Sequence, residues 1–136
     1  MLRERSAGAA SAPRTRVAIS FGSPASESGV TRLDLNEILV RHPQAAFLMR
    51  ITGSAMREAG IEDGDLALVD RAADASHGQV VIAVHGDEFL SRRLCRRGDG
   101  LGLQATAPAV PEIWATADLG VDVWGVVTHV IRPVSS

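Results

Sequence analysis

From Ala46 onward the chain runs in short apolar or alternating blocks closed by Gly, Pro or Asp. These are Ala46–Ile51, Leu66–Asp70, Gln79–His85, Glu88–Arg96, Leu101–Ala105 and Val121–Ile131. Blocks of this length between turn residues predict β-strands. Upstream, Asp34 with Glu37 three residues later opens the run Leu35, Ile38, Leu39, as an N-cap and its reciprocal partner open a helix. Pro43 prevents continuation, so the helix is about two turns long. Gly86-Asp87 separates two strands by the residue pair a primed turn requires, which predicts a hairpin over Gln79–Arg96. Gly98-Asp99-Gly100 likewise reads as a tight turn, a better account of Arg97-Gly98-Asp99 than an adhesion tripeptide. The second half of Val121–Ile131 is apolar on both alternating faces, which places that strand centrally or at an interface. His129 within it reads as a hydrogen-bonded strand residue, not as a switch or ligand.

Residues 1–30 are different: Ala, Ser, Gly, Pro and Arg with few large apolar side chains. Such a segment cannot bury enough surface to offset its ordering entropy, so it is expected to be a flexible N-terminal arm. Without an amphipathic stripe, it makes a poor transit peptide. Residues 31–136 then form a single folded domain that is mainly β, with one short helix.

Composition narrows the function classes. Hydrophobic residues at 46% and charged residues at 22% are near globular averages and predict a packed core. Apolar runs such as Val80–Val84 fall far short of the roughly 18 residues of a membrane span, and no signal peptide is recognisable. A formal charge of −2 offers no bulk attraction to nucleic acid or anionic lipid, so neither a membrane nor sequence-specific DNA is an expected partner. Arg92-Arg93 and Arg96-Arg97 divide over both faces of their strand and predict a solvated edge, not a nucleic-acid patch. Cys95 stands alone, which suits a cytoplasmic location, and is expected to be buried and inert. His42, His77, His85 and His129 lack zinc spacing, and Glu62, Asp63 and Asp65 lack the ligand pattern of a calcium loop. No cofactor or metal is therefore expected. All 14 basic residues are arginines, so the chain contains no lysine.

Three blocks occur in order: Ile51-Thr-Gly-Ser-Ala-Met56, Ala59-Gly-Ile-Glu-Asp-Gly-Asp-Leu66 and Ala75-Ser-His-Gly-Gln-Val-Val-Ile-Ala83. They resemble the core of the LexA-like self-cleaving serine-lysine peptidases. Arg32-Leu-Asp-Leu-Asn-Glu-Ile-Leu39, Arg41-His-Pro-Gln-Ala45 and Val123-Trp-Gly-Val-Val-Thr-His-Val130 resemble the UmuD branch in particular, so the likeness extends roughly from Phe21 to Arg132. Several separated blocks in the right order are far more specific than one short motif. The resemblance implies a β-ribbon or partial-barrel fold of the LexA and signal-peptidase kind. It further implies a homodimer, or a heterodimer with a UmuD-type paralogue, and a role in the SOS response to DNA damage. Partners implied are a UmuC-like Y-family translesion polymerase and the RecA filament that stimulates cleavage.

Measured against that pattern, three parts of the reaction are missing. The nucleophilic serine of the family falls at Ala55, whose methyl group cannot attack a carbonyl. The lysine base falls at Arg92, and a guanidinium has no acceptor lone pair and a pKa above about 12. The scissile pair, usually a small residue followed by Gly, falls at Ile19-Ser20, while the Ala7-Gly8 pair lies twelve residues too early. The resemblance therefore implies a natural, catalytically inactive relative. An alternative is an active peptidase whose nucleophile was replaced by Ala55 through engineering. Arg92 argues against it, since a dead enzyme needs no further disabling. A substitute dyad of Ser54 with His85 is disfavoured, because an extended backbone turns Ser54 away from Ala55. A LexA-like repressor is disfavoured too, because thirty apolar-poor residues are too few for a helix-turn-helix. Ala55 and Arg92 should face one another in a shallow cleft. The permanent cation of Arg92 should reach solvent or pair with a carboxylate, Glu58 and Asp63 being candidates.

Overall fold

A computed structural model describes residues 32–116 and 118–135. The expected arm, with Ile19 and Ser20, lies outside the described residues. Contacts divide the chain between Leu39 and Val40. Before that point stands helix α1, Leu35–Leu39. Its N-cap is Asp34, whose Oδ1 accepts the Asn36 N–H at 3.0 Å. At five residues it is shorter than the two turns expected. Pro43 does not merely stop it but opens a separate 3₁₀ turn, Pro43–Ala45.

The second unit carries seven strands: β1 Ala46–Arg50, β2 Leu66–Asp70, β3 Val80–His85, β4 Glu88–Arg97, β5 Gly100–Gln104, β6 Ile113–Trp114 and β7 Asp122–Ile131. They form one sheet in the order β1-β2-β7-β3-β4-β5-β6, every pair antiparallel. The predicted hairpin and the predicted tight turn each close over two residues: His85 pairs with Glu88 across Gly86-Asp87, and Arg97 with Gly100 across Gly98-Asp99. Gly86 and Gly98 have φ of +62° and +58°, the left-handed backbone that primed turns require and that glycine adopts without strain. Strand β6 went unpredicted because two residues beside Pro111 carry no period.

Strand β3 shows how the core is organised. Val81 and Ala83 belong to one buried cluster with Leu94, Leu103 and Val126, while Ile82, with Val80 beside it, packs in another with Ile51, Met56, Ala67 and Val69. Neighbouring residues of a strand face opposite sides, so β3 is covered on both faces. Strand β7 does the same through Val126 and Val127 and lies between β2 and β3, the central position its two-faced pattern implied. Its register slips once against each neighbour, leaving Thr128 opposite the Leu68/Val69 step of β2 and Trp124 opposite the Ile82/Ala83 step of β3. Each extra residue bends the strand and sharpens its twist, which lets one sheet enclose two cores. At Gly125, between these slips, an added Cβ would stand 2.6 Å from Val69 Cγ1.

One expectation about the arginine-rich strand is corrected. Strand β4 is flanked by β3 and β5 and is not an edge. Arg96 and Arg97 are exposed, as expected; Arg93 Nη1 donates to the Gly78 carbonyl at 3.2 Å, and Arg97 lies 4.8 Å over the Trp114 ring and 3.8 Å from Glu112. Cys95, as expected, is buried and unpaired. His129 Nδ1 lies 3.0 Å from Thr128 Oγ1, and its pKa is lowered by burial and by Arg41. No helix among the described residues is long and apolar enough to cross a membrane.

Candidate functional site: a cleft lined by Ala55 and Arg92

The segment between β1 and β2, residues 51–65, is built as a closed loop. Ile51 N–H donates to Asp65 O and Gly64 N–H to Ile51 O, each at 2.8 Å, which pins its two ends together. Within it the Asp63 carboxylate accepts the Gly53 N–H at 2.7 Å. Met56 is buried beneath the loop, 2% exposed, and the 3₁₀ turn Arg57–Ala59 follows, capped by Gly60 at φ +89°.

Arg132, just beyond β7, ties this loop to the far end of the sheet. Its Nε and Nη2 each donate to the Asp65 carboxylate at 2.7 Å, and Nη2 also donates to Gly60 O at 2.8 Å. The hydrogen bonds from Arg132 are the main reason the Asp65 carboxyl is held down at about 2, outweighing the burial that would raise it.

At the front of the loop Ala55 is fixed by its carbonyl, which accepts from Thr106 N at 2.9 Å, Ala107 N at 3.1 Å and Thr106 Oγ1 at 3.1 Å. Opposite lies the β4 segment from Glu88 to Arg92. Between them is a cavity of about 570 Å³ whose lining includes Ser54, Ala55 and Met56 on one side and Phe89, Ser91 and Arg92 on the other. Ala55 and Arg92 thus line the same space. A recess of about 60 Å³, bounded partly by the Met49–Thr52 stretch that ends β1, continues it.

Arg92 is half-buried, and its Nη1 donates to the Ser91 carbonyl at 2.7 Å. Its Nε and the Ser91 hydroxyl oxygen are both shut off from solvent without a hydrogen-bond partner among the described residues. Arg92 has no carboxylate partner among those residues, and burial lowers its pKa from the ordinary arginine value. Of the two carboxylates considered for it, Asp63 serves Gly53 instead, and Glu58 forms no ion pair with it. Neither extreme of the expectation holds: the cation is neither paired nor fully solvated.

Ser54 requires a second correction. The backbone at Ser54 and Ala55 bends and turns and is not extended, so strand alternation does not apply and Ser54 lines the cavity as well. Its proposed partner, His85, is absent from that lining, which contains no histidine, cysteine or lysine. No hydroxyl of Thr52, Ser54 or Ser91 donates to a carboxylate or imidazole among the described residues, so no nucleophile-base pair is assembled. Ser91 was missed in the sequence because nothing local distinguishes a serine beside a core strand from a solvated one.

A seven-stranded antiparallel sheet with a loop-and-strand cleft of this kind defines a LexA-like peptidase scaffold. Residues 12–128 match the model of the Peptidase S24-like family, and the chain belongs to that family, on its UmuD-like side. It is 39% identical over 115 residues to protein MucA of Salmonella typhimurium, covering 84% of this chain and 78% of MucA. Protein SamA of the same species, strain LT2, is 35% identical over 121 residues, 89% of this chain and 84% of SamA. The LexA repressor of Paraburkholderia xenovorans is 40% identical over 88 residues, covering 64% of this chain but only 41% of that protein.

Proposed function

We propose that this protein is a catalytically inactive UmuD-like member of the family that works by binding. Its partner would be a Y-family translesion polymerase or an active UmuD-type paralogue in the cytoplasmic response to DNA damage. The observation that carries the reading is the pair Ala55 and Arg92 on the two walls of one cleft, where a resemblance to self-cleaving relatives places nucleophile and base. A methyl group supplies no electron pair, and a guanidinium accepts no proton at any pH a folded protein survives. The fold that would present a peptide is retained while the chemistry is absent. Strand β1, which ends the sheet among the described residues, supports the binding reading, since main-chain pairing requires neither serine nor lysine.

The test is the mass of the purified full chain after incubation at alkaline pH, and again with RecA filaments on single-stranded DNA. The mass should stay intact under both conditions. Two fragments divided within the first thirty residues would overturn the reading. Restoring the chemistry sharpens it: Ala55→Ser alone should remain uncut, whereas Ala55→Ser with Arg92→Lys, Ile19→Ala and Ser20→Gly should cut at the introduced pair. Co-purification with a UmuC-like polymerase from the same genome tests the partner, and failure to co-elute with it or with a UmuD-type paralogue removes that half of the proposal.

A further inference from the structure

We infer that the cleft between Ala55 and Arg92 is a carboxylate-binding site, made to receive the carboxylate of an extended peptide. The inference rests on the reading of this cleft as non-catalytic. Replacing a lysine base by arginine does more than remove a base. It installs a permanent cation with five N–H donors in a planar fork that matches a carboxylate. Only one acceptor, the Ser91 carbonyl, is found for those donors among the described residues, and Nε is left buried and unpartnered among them. A buried guanidinium N–H without an acceptor is unfavourable by itself and gains from an anion that reaches it.

No described residue supplies that anion. Glu88 is the single acidic residue in the cavity lining, but it stands four residues along β4, about 13 Å at ~3.3 Å per residue, and forms no ion pair with Arg92. The opposite wall is rigid and offers donors. The triple anchoring of the Ala55 carbonyl sets the orientation of the turn, and the backbone N–H groups of Ser54 and Ala55 find no acceptor among the described residues. The methyl of Ala55 leaves open the space a hydroxyl would occupy. Arg92 lines one wall of the cleft and the residues bearing these main-chain N–H groups line the other, so the proposed carboxylate has donors in both walls.

The surroundings select a peptide over a small inorganic anion. Ile51, Met56, Phe89, Leu90 and Val110 make much of the lining apolar, and about 570 Å³ lies within the roughly 300–1,000 Å³ of small-ligand pockets. A single cation suits a monoanion; phosphate would bring a second charge that nothing in the lining neutralises. The backbone Met49–Thr52 continues from β1, the last strand of the sheet among the described residues, into the cleft, so an extended chain can pair along that edge while its carboxylate reaches Arg92. The carboxylate can be a chain terminus or an Asp or Glu side chain, and the test separates the two.

Full-length ¹⁵N-labelled protein is titrated with N-acetyl-trialanine as free acid, with its C-terminal amide, and with N-acetyl-Ala-Asp-Ala amide. The readouts are the Arg92 Nε–H resonance and the backbone amides of Ser54 and Ala55. At least one carboxylate probe should shift all three groups saturably and bind about tenfold more tightly than the trialanine amide, as a charge-assisted hydrogen bond predicts. Whichever carboxylate probe binds identifies the source. Arg92→Gln should abolish the preference, and Arg92→Lys should keep part of it, with unchanged far-ultraviolet circular dichroism for both. Equal binding of all three probes, a preference that survives Arg92→Gln, or equal competition by inorganic phosphate would each overturn the assignment. Self-cleavage would instead be seen as fragments by mass, so failure of the binding reading and failure of this site are told apart.

Discussion

Arg92 and Arg132 place the same guanidinium on two sides of one loop in opposite circumstances. Behind residues 51–65, Arg132 meets Asp65 through two hydrogen bonds of 2.7 Å, and its pKa is raised by that partner. In front, Arg92 finds one carbonyl and no carboxylate among the described residues, and its pKa is lowered by burial. The first arrangement is what holds a loop in place. The second holds nothing within the described fold and is intelligible as a group that faces a ligand. A cation's role here is read from its partners, not from its residue type.

Truncating the anchor both regions share should have the largest effect. Met56 lies buried under the loop, and Met56→Ala should cost about 2–5 kcal/mol in urea unfolding while weakening clamp and cleft together. Next, Arg132→Met leaves the Asp65 carboxylate, 2% exposed, without its counter-ion and should lower the urea midpoint clearly. Arg92→Met, the matched change at the front, should alter stability by less than about 1 kcal/mol in either direction. Equal losses from the two arginines would erase the distinction.

Acid provides the finest probe. The Asp65 pKa is depressed from 3.8 to about 2 in the fold, so its contribution is complete above about pH 4 and is lost as pH falls toward 2. The wild-type urea midpoint should therefore decline over that window. Arg132→Met should flatten the part of the decline due to Asp65, because a carboxyl without its cation gains nothing by ionising. A decline of undiminished size in the variant would show that other carboxylates carry the acid sensitivity.

What was legible in the sequence was local. The turns at Gly86-Asp87 and Gly98-Asp99 depend on a backbone φ that glycine supplies on its own, and both form where the sequence put a turn. The two-faced apolar pattern of Val121–Ile131 correctly put β7 inside the sheet. Errors came where a neighbour distant in sequence decides the outcome. Strand β4 is covered by β5 and so is no edge, and Ser54 turns into the cleft because Asp63 and the Thr106–Ala107 backbone hold the loop bent. Asp65 and Arg132 are 67 residues apart, and no local pattern announces their pairing.

The chemical limits of Ala55 and Arg92 on which the proposed inactivity rests need no coordinates, because the inability of a methyl to attack and of a guanidinium to accept a proton belongs to the side chains themselves. Whether a charge is paired, buried or left idle belongs to the space around it. Only the folded chain, by bringing Asp65 to Arg132 and no described carboxylate to Arg92, made one arginine a clamp and left the other open.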